Sequence, residues 1–531
     1  MIRIEECKLD LIFTKNDLKE KICKILHVKN DAILSIDVVR KAIDARKKPH
    51  LTCVLTVDVQ VRKEKNVLLR ANKAHLKVME PIRYHFPKCS APKLPFRPVV
   101  IGSGPCGLLC TYELALHGFR PILLERGSDV EKRCAMLQHF FSTGELNPEN
   151  NAQFGEGGAG TFSDGKLTTS IKDPSGRGRE VLRLFVEMGA DPQILSDAKP
   201  HLGTDVLIKI LKIFRTRITE LGGTIRFDSC VTDLLVKDNK IAGICVNEKT
   251  NIETDAVVLA IGHSARDTIR MLRQKKIRME AKPFAVGFRI EHPQKMIDLA
   301  QYGISNHTVT GAAPYKVTAH AMDRGVYSFC MCPGGYVINA SSEHNRLCVN
   351  GMSYSGRDGK NANSAIVVAV RPEDLSANDP LSFLHFQESL EEKAYRLANG
   401  AIPQQLYADF KENRCTRSYG DFESTTKGAR MFANLRGLLP DPMTEAFLSG
   451  MEQFGRQIQG FDRADAILSG IESRTSSPVR IFRDDNGVSS LDGLYPAGEG
   501  AGYAGGIISA AVDGIRTAER LAIRLAGKKA E

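Results

Sequence analysis

Over the first 84 residues the apolar positions switch from strand to helix spacing and back. Ile2 to Leu11 reads as a first strand. From Asp17 to Val28, Leu18, Ile22, Ile25 and Leu26 recur on one face, while Lys19, Lys24 and Lys29 fall elsewhere, which predicts an amphipathic helix. From Leu51 to Val61 the alternation is strict, with Leu51, Cys53, Leu55, Val57, Val59 and Val61 on one side, the mark of a half-buried strand. Residues 1–84 are therefore expected to form a small α/β domain. The run from Pro87 to Pro95 holds three prolines, Pro87, Pro92 and Pro95, and residues 85–96 read as a linker.

A different pattern begins at Pro98. Pro98-Val-Val-Ile101 is a short buried strand, Gly102-Ser-Gly104-Pro105-Cys-Gly107 is a glycine turn, and an apolar helix follows to about His117. A second strand, Pro121 to Leu124, ends at Glu125 and Arg126. Strand, glycine turn, helix, strand and acid make a βαβ unit for a dinucleotide. Gly102 permits the tight turn, Gly104 lets backbone approach a pyrophosphate, and Gly107 lets the helix pack on the strand. The phosphates then face a helix N-terminus, whose free N–H groups and dipole favour negative charge. Glu125 lies 18 residues past Gly107, where a carboxylate hydrogen-bonds ribose hydroxyls. The same spacing of glycines recurs at Gly155 and Gly500, but only the first has a strand before it, a helix after it and an acid at the right distance.

The end of the chain decides which dinucleotide. Leu494 to Ala497 is a strand that runs into Gly498-Glu499-Gly500, and Gly505-Gly506-Ile507 opens a helix to about Leu525. This resembles the C-terminal flavin motif of glutathione-reductase-like flavoproteins. The resemblance implies that Glu499 holds a ribityl hydroxyl and that the helix N-terminus at Gly506 and Ile507 faces the flavin pyrimidine. Most members carry Asp where this chain has Glu499. Asp255 to Gly262 resembles the strand end beside the cofactor, with Ile261 in place of the usual Thr. Gly223 to Val231 resembles the strand whose backbone reads adenine, which places Val231 near that ring. Thr111 stands where the family usually has Gly or Ala. Gly157 to Leu167, with Gly158, and Phe329 to Gly335 are similar to signatures of the uncharacterised FAD-dependent dehydrogenase, or NAD(P)/FAD-dependent oxidoreductase, family with a basic N-terminal extension.

That resemblance implies an α/β fold: a Rossmann-like FAD-binding domain split between 97–282 and 478–531, with residues 283–477 inserted as an α+β substrate or cap domain. It implies non-covalent FAD and an oxidoreductase of dehydrogenase or reductase type on a small molecule. No second nicotinamide-type βαβ unit is visible, so NAD(P)H enters only as a transient reductant. FAD carries the redox chemistry and the protein orients and tunes it. The catalytic candidates are Cys330, Cys332 and Lys166. A thiol near the flavin is a redox partner, but two small apolar residues at a strand end read equally well. The Cys330–Cys332 spacing closes a strained ring and differs from the CxxxxC pair of disulfide reductases. Lys166 is placed to steady an anionic reduced flavin or to sit solvated in its turn. His263, after Gly262, reaches the cofactor or caps a loop.

Composition changes this picture in one respect. The chain has 531 residues, 42% hydrophobic and 25% charged, with a net charge of +11. The first 98 residues hold 22 Lys and Arg against 11 Asp and Glu, so they carry the whole excess and the remainder is balanced. Arg46-Lys47-Lys48 is the densest part of it. The asymmetry supports an alternative function, a nucleic-acid-associated flavoprotein such as a tRNA-modifying enzyme using residues 1–84, although that domain has little aromatic interleaving. A third alternative is a non-catalytic redox sensor or electron carrier. The 13 cysteines include no CxxC, which argues against a metal site or a disulfide framework. No apolar run approaches the ~20 residues that span a bilayer, and the start MIRIEECKLD is charged where a signal peptide is apolar. A cytoplasmic protein without membrane partners is expected.

Overall fold

The structure is a computed structural model, which describes residues 1–70, 75–80, 82–305, 309–375 and 379–527. At the N-terminus, strands Ile2–Asp10, Ile33–Asp44, Thr52–Val61 and Leu76–Val78 form an antiparallel sheet in which Ile2–Asp10 lies between Thr52–Val61 and Leu76–Val78. Helix Lys15–Leu26 lays Leu18, Ile22 and Leu26 onto it. Strand Ile33–Asp44 escaped the pattern because two irregularities, at Ile33/Ser35 and Val38/Arg40, shift which residues face inward. Arg46, Lys47 and Lys48 stand exposed in the turn that follows it.

This unit has its own core. It meets the rest along Lys41, whose N–H donates to the Ser196 carbonyl at 2.6 Å and whose carbonyl accepts from Ala198 at 2.9 Å. The proline-rich stretch is not a free tether. Tyr84, Phe86, Cys89, Ala91 and Leu94 pack against the main core, and Phe86 stacks on His117 with ring centroids 3.7 Å apart.

The main body is built on a parallel sheet in the order Leu494–Pro496, Val257–Leu259, Val99–Ile101, Ile122–Leu124, Thr224–Arg226. Each of these strands is only three residues long. Four of the five are buried throughout, while Thr224–Arg226 at the edge is partly exposed, as a sheet covered on both faces requires. Helices Pro105–Leu116 and Ile507–Leu525 pack on one another beside it, where Gly514 lets the second helix come close to the Cys106 backbone. An antiparallel meander, Val231–Lys237, Lys240–Val246 and Thr250–Glu253, covers the other side. The fold is Rossmann-like α/β.

Between Ala281 and Val479 the chain leaves this domain and returns. The two crossings pair with each other, Met279–Ala281 against Val479–Ile481. What lies between is a cap with a seven-stranded mixed sheet, centred on Asn361–Val370, Phe284–Pro293 and Ile467–Glu472, and a second core. Helix Asp441–Gln457 packs Phe447 edge-on to Phe288 and Phe410 in that core. Arg266 of the parallel-sheet domain is buried against Glu391 of the cap at 2.7 Å, and Arg474 meets the same carboxylate at 2.8 Å. Those two cations outweigh burial and hold Glu391 well below the ordinary carboxylate range. Removing either would leave charge buried and unpaired, so the cluster fixes how the cap sits.

Candidate functional site

A cleft lies between the two cores. The parallel-sheet domain supplies Gly102, Gly104, Pro105, Glu125, Arg126, Gly158, Val231, Gly262, Glu499, Gly506 and Ile507, and the cap supplies Phe329, Cys330, Asn350, Glu472 and Thr475. Two helices begin on it, Pro105–Leu116 and Ile507–Leu525, and neither N-terminus has a side-chain cap. Their first N–H groups therefore point into the cleft without protein partners from capping.

Three glycines of the first turn do three different things. A Cβ on Gly107 would lie 1.9 Å from the Gly102 carbonyl oxygen, so its absence lets the helix start under the strand. Gly102 has φ +97°, a conformation open to glycine. Gly104 is different: a Cβ there would find only the Gly158 Cα, at 3.9 Å. The space it leaves belongs to the cleft. Gly107 itself is behind the wall.

At the end of the second strand, Glu125 is buried and its carboxylate is already satisfied. Oε2 accepts from the Ser103 N–H at 2.9 Å and hydroxyl at 2.7 Å, and Oε1 accepts from Gly127 at 3.0 Å and Gly155 at 2.9 Å. Glu125 thus ties the first glycine turn to the second. The sequence had suggested a ribose ligand there, and the four protein donors add a structural duty to that expectation. Arg126 lies over the Phe154 ring and pairs with Glu149 at 2.7 Å and Asp267 at 2.9 Å. The Gly155–Gly158 turn is held from behind by Arg133, which donates to the carbonyls of Asn151, Ala152, Gly155, Glu156 and Gly158. Burial lowers the Arg133 guanidinium to about 10, still charged at neutral pH.

Glu499 stands at the other end. Among the described residues no donor makes a hydrogen bond to its carboxylate. Burial pushes the carboxyl up to about 7, with Lys282 opposing and Cys330 adding to the shift. The neighbouring Gly498 does not reach the cleft surface. Its φ is +70° and its N–H donates to Asp513 at 2.8 Å, which fixes the turn and aims Glu499 inward. His263 also lines the cleft, with Nδ1 2.8 Å from the Ser264 hydroxyl. Burial, then Arg474 and Arg266, push it down to about 3, so it is neutral.

The cap wall centres on Cys330. Strand Arg324–Cys332 pairs with Asn361–Val370 until a bulge between Phe329 and Cys332, where Cys330 takes φ +45°. The bulge is held from both sides. Arg289, wholly buried, donates to the Cys330 carbonyl at 3.1 Å and pairs with Glu472 at 3.0 Å. Lys166 donates to the Met331 carbonyl and pairs with Asp164 at 2.9 Å. Asp164 also accepts from Ser353 at 2.7 Å and pairs with Arg357. Burial works against the Lys166 charge, but Asp164, Cys330 and Cys332 outweigh it and keep the ammonium above its ordinary value. Lys166 is thus a paired, positioned cation.

The structure brings the proposed residues from 102 to 507 onto one cleft, Cys330 and Lys166 included. Gly107 and Gly498 shape its floor, and Cys332, with no exposure, lies behind Cys330. Sequence reasoning passed over Arg289, Glu472 and Asn350. A signal existed for the first two: each is a lone charge in an apolar run, Phe284 to Ile290 and Ile467 to Glu472, buried on both faces.

The donors match FAD. The gap at Gly104 faces an uncapped helix start, as a pyrophosphate needs, and an unpartnered acid faces the second helix start, as a ribityl chain beside a flavin needs. The cleft defines a flavoprotein of the two-segment FAD-binding class. Residues 283–475 match the family model described as FAD-dependent protein, C-terminal domain-like, and residues 1–60 match a domain of unknown function. An uncharacterized protein of Clostridium beijerinckii is 45% identical over 526 residues, 98% of each chain. The chain belongs to the family of that protein. Solved structures similar to it include L-proline dehydrogenase from P. horikoshii, 12% identical with TM-score 0.36 over 82% of this chain and 95% of that one. Glycine oxidase from Bacillus cereus is 10% identical, with TM-score 0.34 over 82% and 96%. The matched family model and the cleft agree on FAD as the cofactor. No helix among the described residues is long and apolar enough to cross a membrane.

Proposed function

We propose that the protein is an FAD-dependent oxidoreductase of the dehydrogenase or reductase type that acts on a small molecule in the space between Glu499 and the cap wall. The carrying observation is that wall: Phe329, Cys330, Asn350, Glu472 and Thr475 roof the cleft beside the unpartnered Glu499, leaving polar groups to orient a small substrate. Bound FAD supplies two-electron transfer. Gly104 and the two helix starts hold its phosphates and flavin edge, Glu125 and Val231 its adenosine, and Glu499 its ribityl chain. Neutral His263 and the paired Lys166 orient substrate without adding a net charge. NADH or NADPH acts as a transient reductant, and the protein works in the cytoplasm, in keeping with a sequence whose 13 cysteines include no CxxC.

The test is anaerobic reduction of the purified holoprotein. Bleaching of the flavin by NADH, NADPH or a member of a panel of small alcohols, amines and thiols is expected. Flavin that stays oxidised with all of them, yet bleaches with dithionite, overturns the reading in favour of a sensor or carrier. A second reading has one observation behind it: Arg40, Lys41, Arg46, Lys47 and Lys48 are exposed on a strand and turn that also contact the main body through Ser196 and Ala300. Such a surface suits phosphates. A salt-dependent mobility shift with tRNA would support a nucleic-acid substrate, and no shift at 50 mM salt (about the lower end of the range where such contacts are strong) would remove it.

A further inference from the structure

Cys330 and Cys332 are two residues apart on one strand, and in a regular strand both would point to the same face with their sulfurs held apart by the pleat. The bulge changes that. With Cys330 at φ +45°, that residue lines the cleft while Cys332 lies behind it. Cys332 is fully buried, and its Sγ also donates to the Cys330 carbonyl at 3.3 Å and receives Arg289 Nη1 at 3.7 Å. Such a backbone conformation is costly for a non-glycine residue and persists where its surroundings over-determine it. Here they do: buried Arg289 grips the Cys330 carbonyl and half-buried Lys166 the Met331 carbonyl, so two cations fix both peptide groups between the sulfurs. The same cleft holds the unpartnered Glu499 carboxylate, whose titration is coupled to the Cys330 sulfur. One thiol on the cofactor face and a second at its back make a pair with an outlet.

We propose that Cys330 and Cys332 are a redox dithiol that exchanges an electron pair with the bound flavin, and that the substrate of this site is a small thiol or disulfide engaging Cys330. This rests on the FAD oxidoreductase reading above and names its substrate class. In the oxidative direction both S–H bonds are lost and an Sγ–Sγ bond forms between Cys330 and Cys332. The two thiols release two electrons and two protons, of which the flavin takes the electron pair and one proton and solvent takes the other. A small disulfide reverses the balance: it accepts the pair by thiol exchange through Cys330 and leaves as two thiols. The hydrogen bond from Cys332, aided by Lys166 and Arg289, lowers the Cys330 thiol against the opposing effect of burial, while burial raises Cys332. The exposed sulfur is thereby the nucleophile and the buried one the resolving partner.

The experiment is an anaerobic dithionite titration of air-oxidised holoprotein, followed by absorbance, on wild type, C330S, C332S and C332A. Flavin content is measured first by acid release; absence of flavin sinks the FAD reading itself, whereas the outcomes below concern the dithiol alone. Wild type is expected to consume two two-electron equivalents before the flavin is fully reduced, and each variant one. C332S and C332A, which keep the Cys330 thiolate, are expected to show a long-wavelength thiolate-to-flavin band while oxidised, and C330S none. Wild type consuming one equivalent, with a spectrum like that of C330S, overturns the proposal. C332A guards against a serine that disturbs the buried site, and the wild-type count decides by itself.

Discussion

Two glutamates sit at the two ends of the cleft, each after a short buried strand of the parallel sheet, and they are in opposite states. Glu125 has four protein donors on its two oxygens. Glu499 has none among the described residues, and burial pushes its carboxyl up to about 7 against the opposing charge of Lys282. The first is already a finished piece of structure, and the second is finished only by a ligand. Identical chemistry at matching places in the fold therefore serves stability at one end and recognition at the other. The difference arises from neighbours distant in sequence: Ser103 and Gly155 reach Glu125, and Gly505 leaves an open side next to Glu499, where its missing Cβ would lie 3.7 Å from Oε1.

The largest effect should come from Glu125→Ala. It strips buried N–H groups of Ser103, Gly127 and Gly155 of their acceptor, at ~1–3 kcal/mol for each group left unsatisfied. Apoprotein stability in urea should fall by about 3–5 kcal/mol, with flavin retention failing as a consequence. A variant as stable as wild type would erase the contrast. Next comes Glu499→Ala. A charged acceptor to a neutral hydroxyl contributes ~1.5–3 kcal/mol, so FAD should bind about 10- to 100-fold more weakly. The apoprotein should melt no lower than wild type, because a desolvated carboxylate has been removed. Glu499→Asp keeps the acceptor and should bind FAD more tightly than the alanine variant. Titration of FAD into the three apoproteins measures both halves, and unchanged affinity in the alanine variant would move the ribityl chain elsewhere.

A smaller effect sharpens the comparison by pH. The folded Glu499 carboxyl titrates at about 7, above its ordinary 4.5, so between those values the folded chain binds more protons than the unfolded one. Stability from this group is therefore lost as pH rises from 4.5 to 7. In apoprotein melts, the wild-type minus Glu499→Gln difference should decline across that window and flatten above it. A difference that rises with pH would mean that Glu499 has a donor in the apoprotein. The smallest effect should follow deletion of residues 1–80. Their core is separate, and the stretch from Tyr84 to Leu94 that packs on the main body remains. Flavin per chain should stay unchanged; its loss from a soluble deletion variant would make the basic unit part of the cofactor site.

The half of the cleft built from the parallel sheet was legible because local chemistry decides it. A strand of three apolar residues, glycines at fixed offsets and an acid 18 residues on leave few conformations open, and Gly102, Gly107 and Glu125 occupy the positions that this logic assigns them. Strand Thr52–Val61 and helix Lys15–Leu26 of the basic domain were legible for the same reason, since a period of two or of 3.6 residues states which face is buried. Strand Ile33–Asp44 was not, because its bulges break the period.

The cap half depended on contacts across long stretches of chain. Nothing near Cys330 announces that Lys166, 164 residues earlier, and Arg289 on another strand will clamp the peptides beside it. The Cys330-Met331-Cys332 run was readable as a redox pair or as two apolar fillers, and the choice lay in a bulge and two cations. The sequence by itself determined the Rossmann-like frame, the cofactor and the placement of excess charge in the first 98 residues, because each of these is written in residues close together along the chain. Only the tertiary structure decided which acid is saturated, which thiol faces the cleft and which cations hold it there, because hydrogen bonding, burial and charge at a site are properties of neighbours in space.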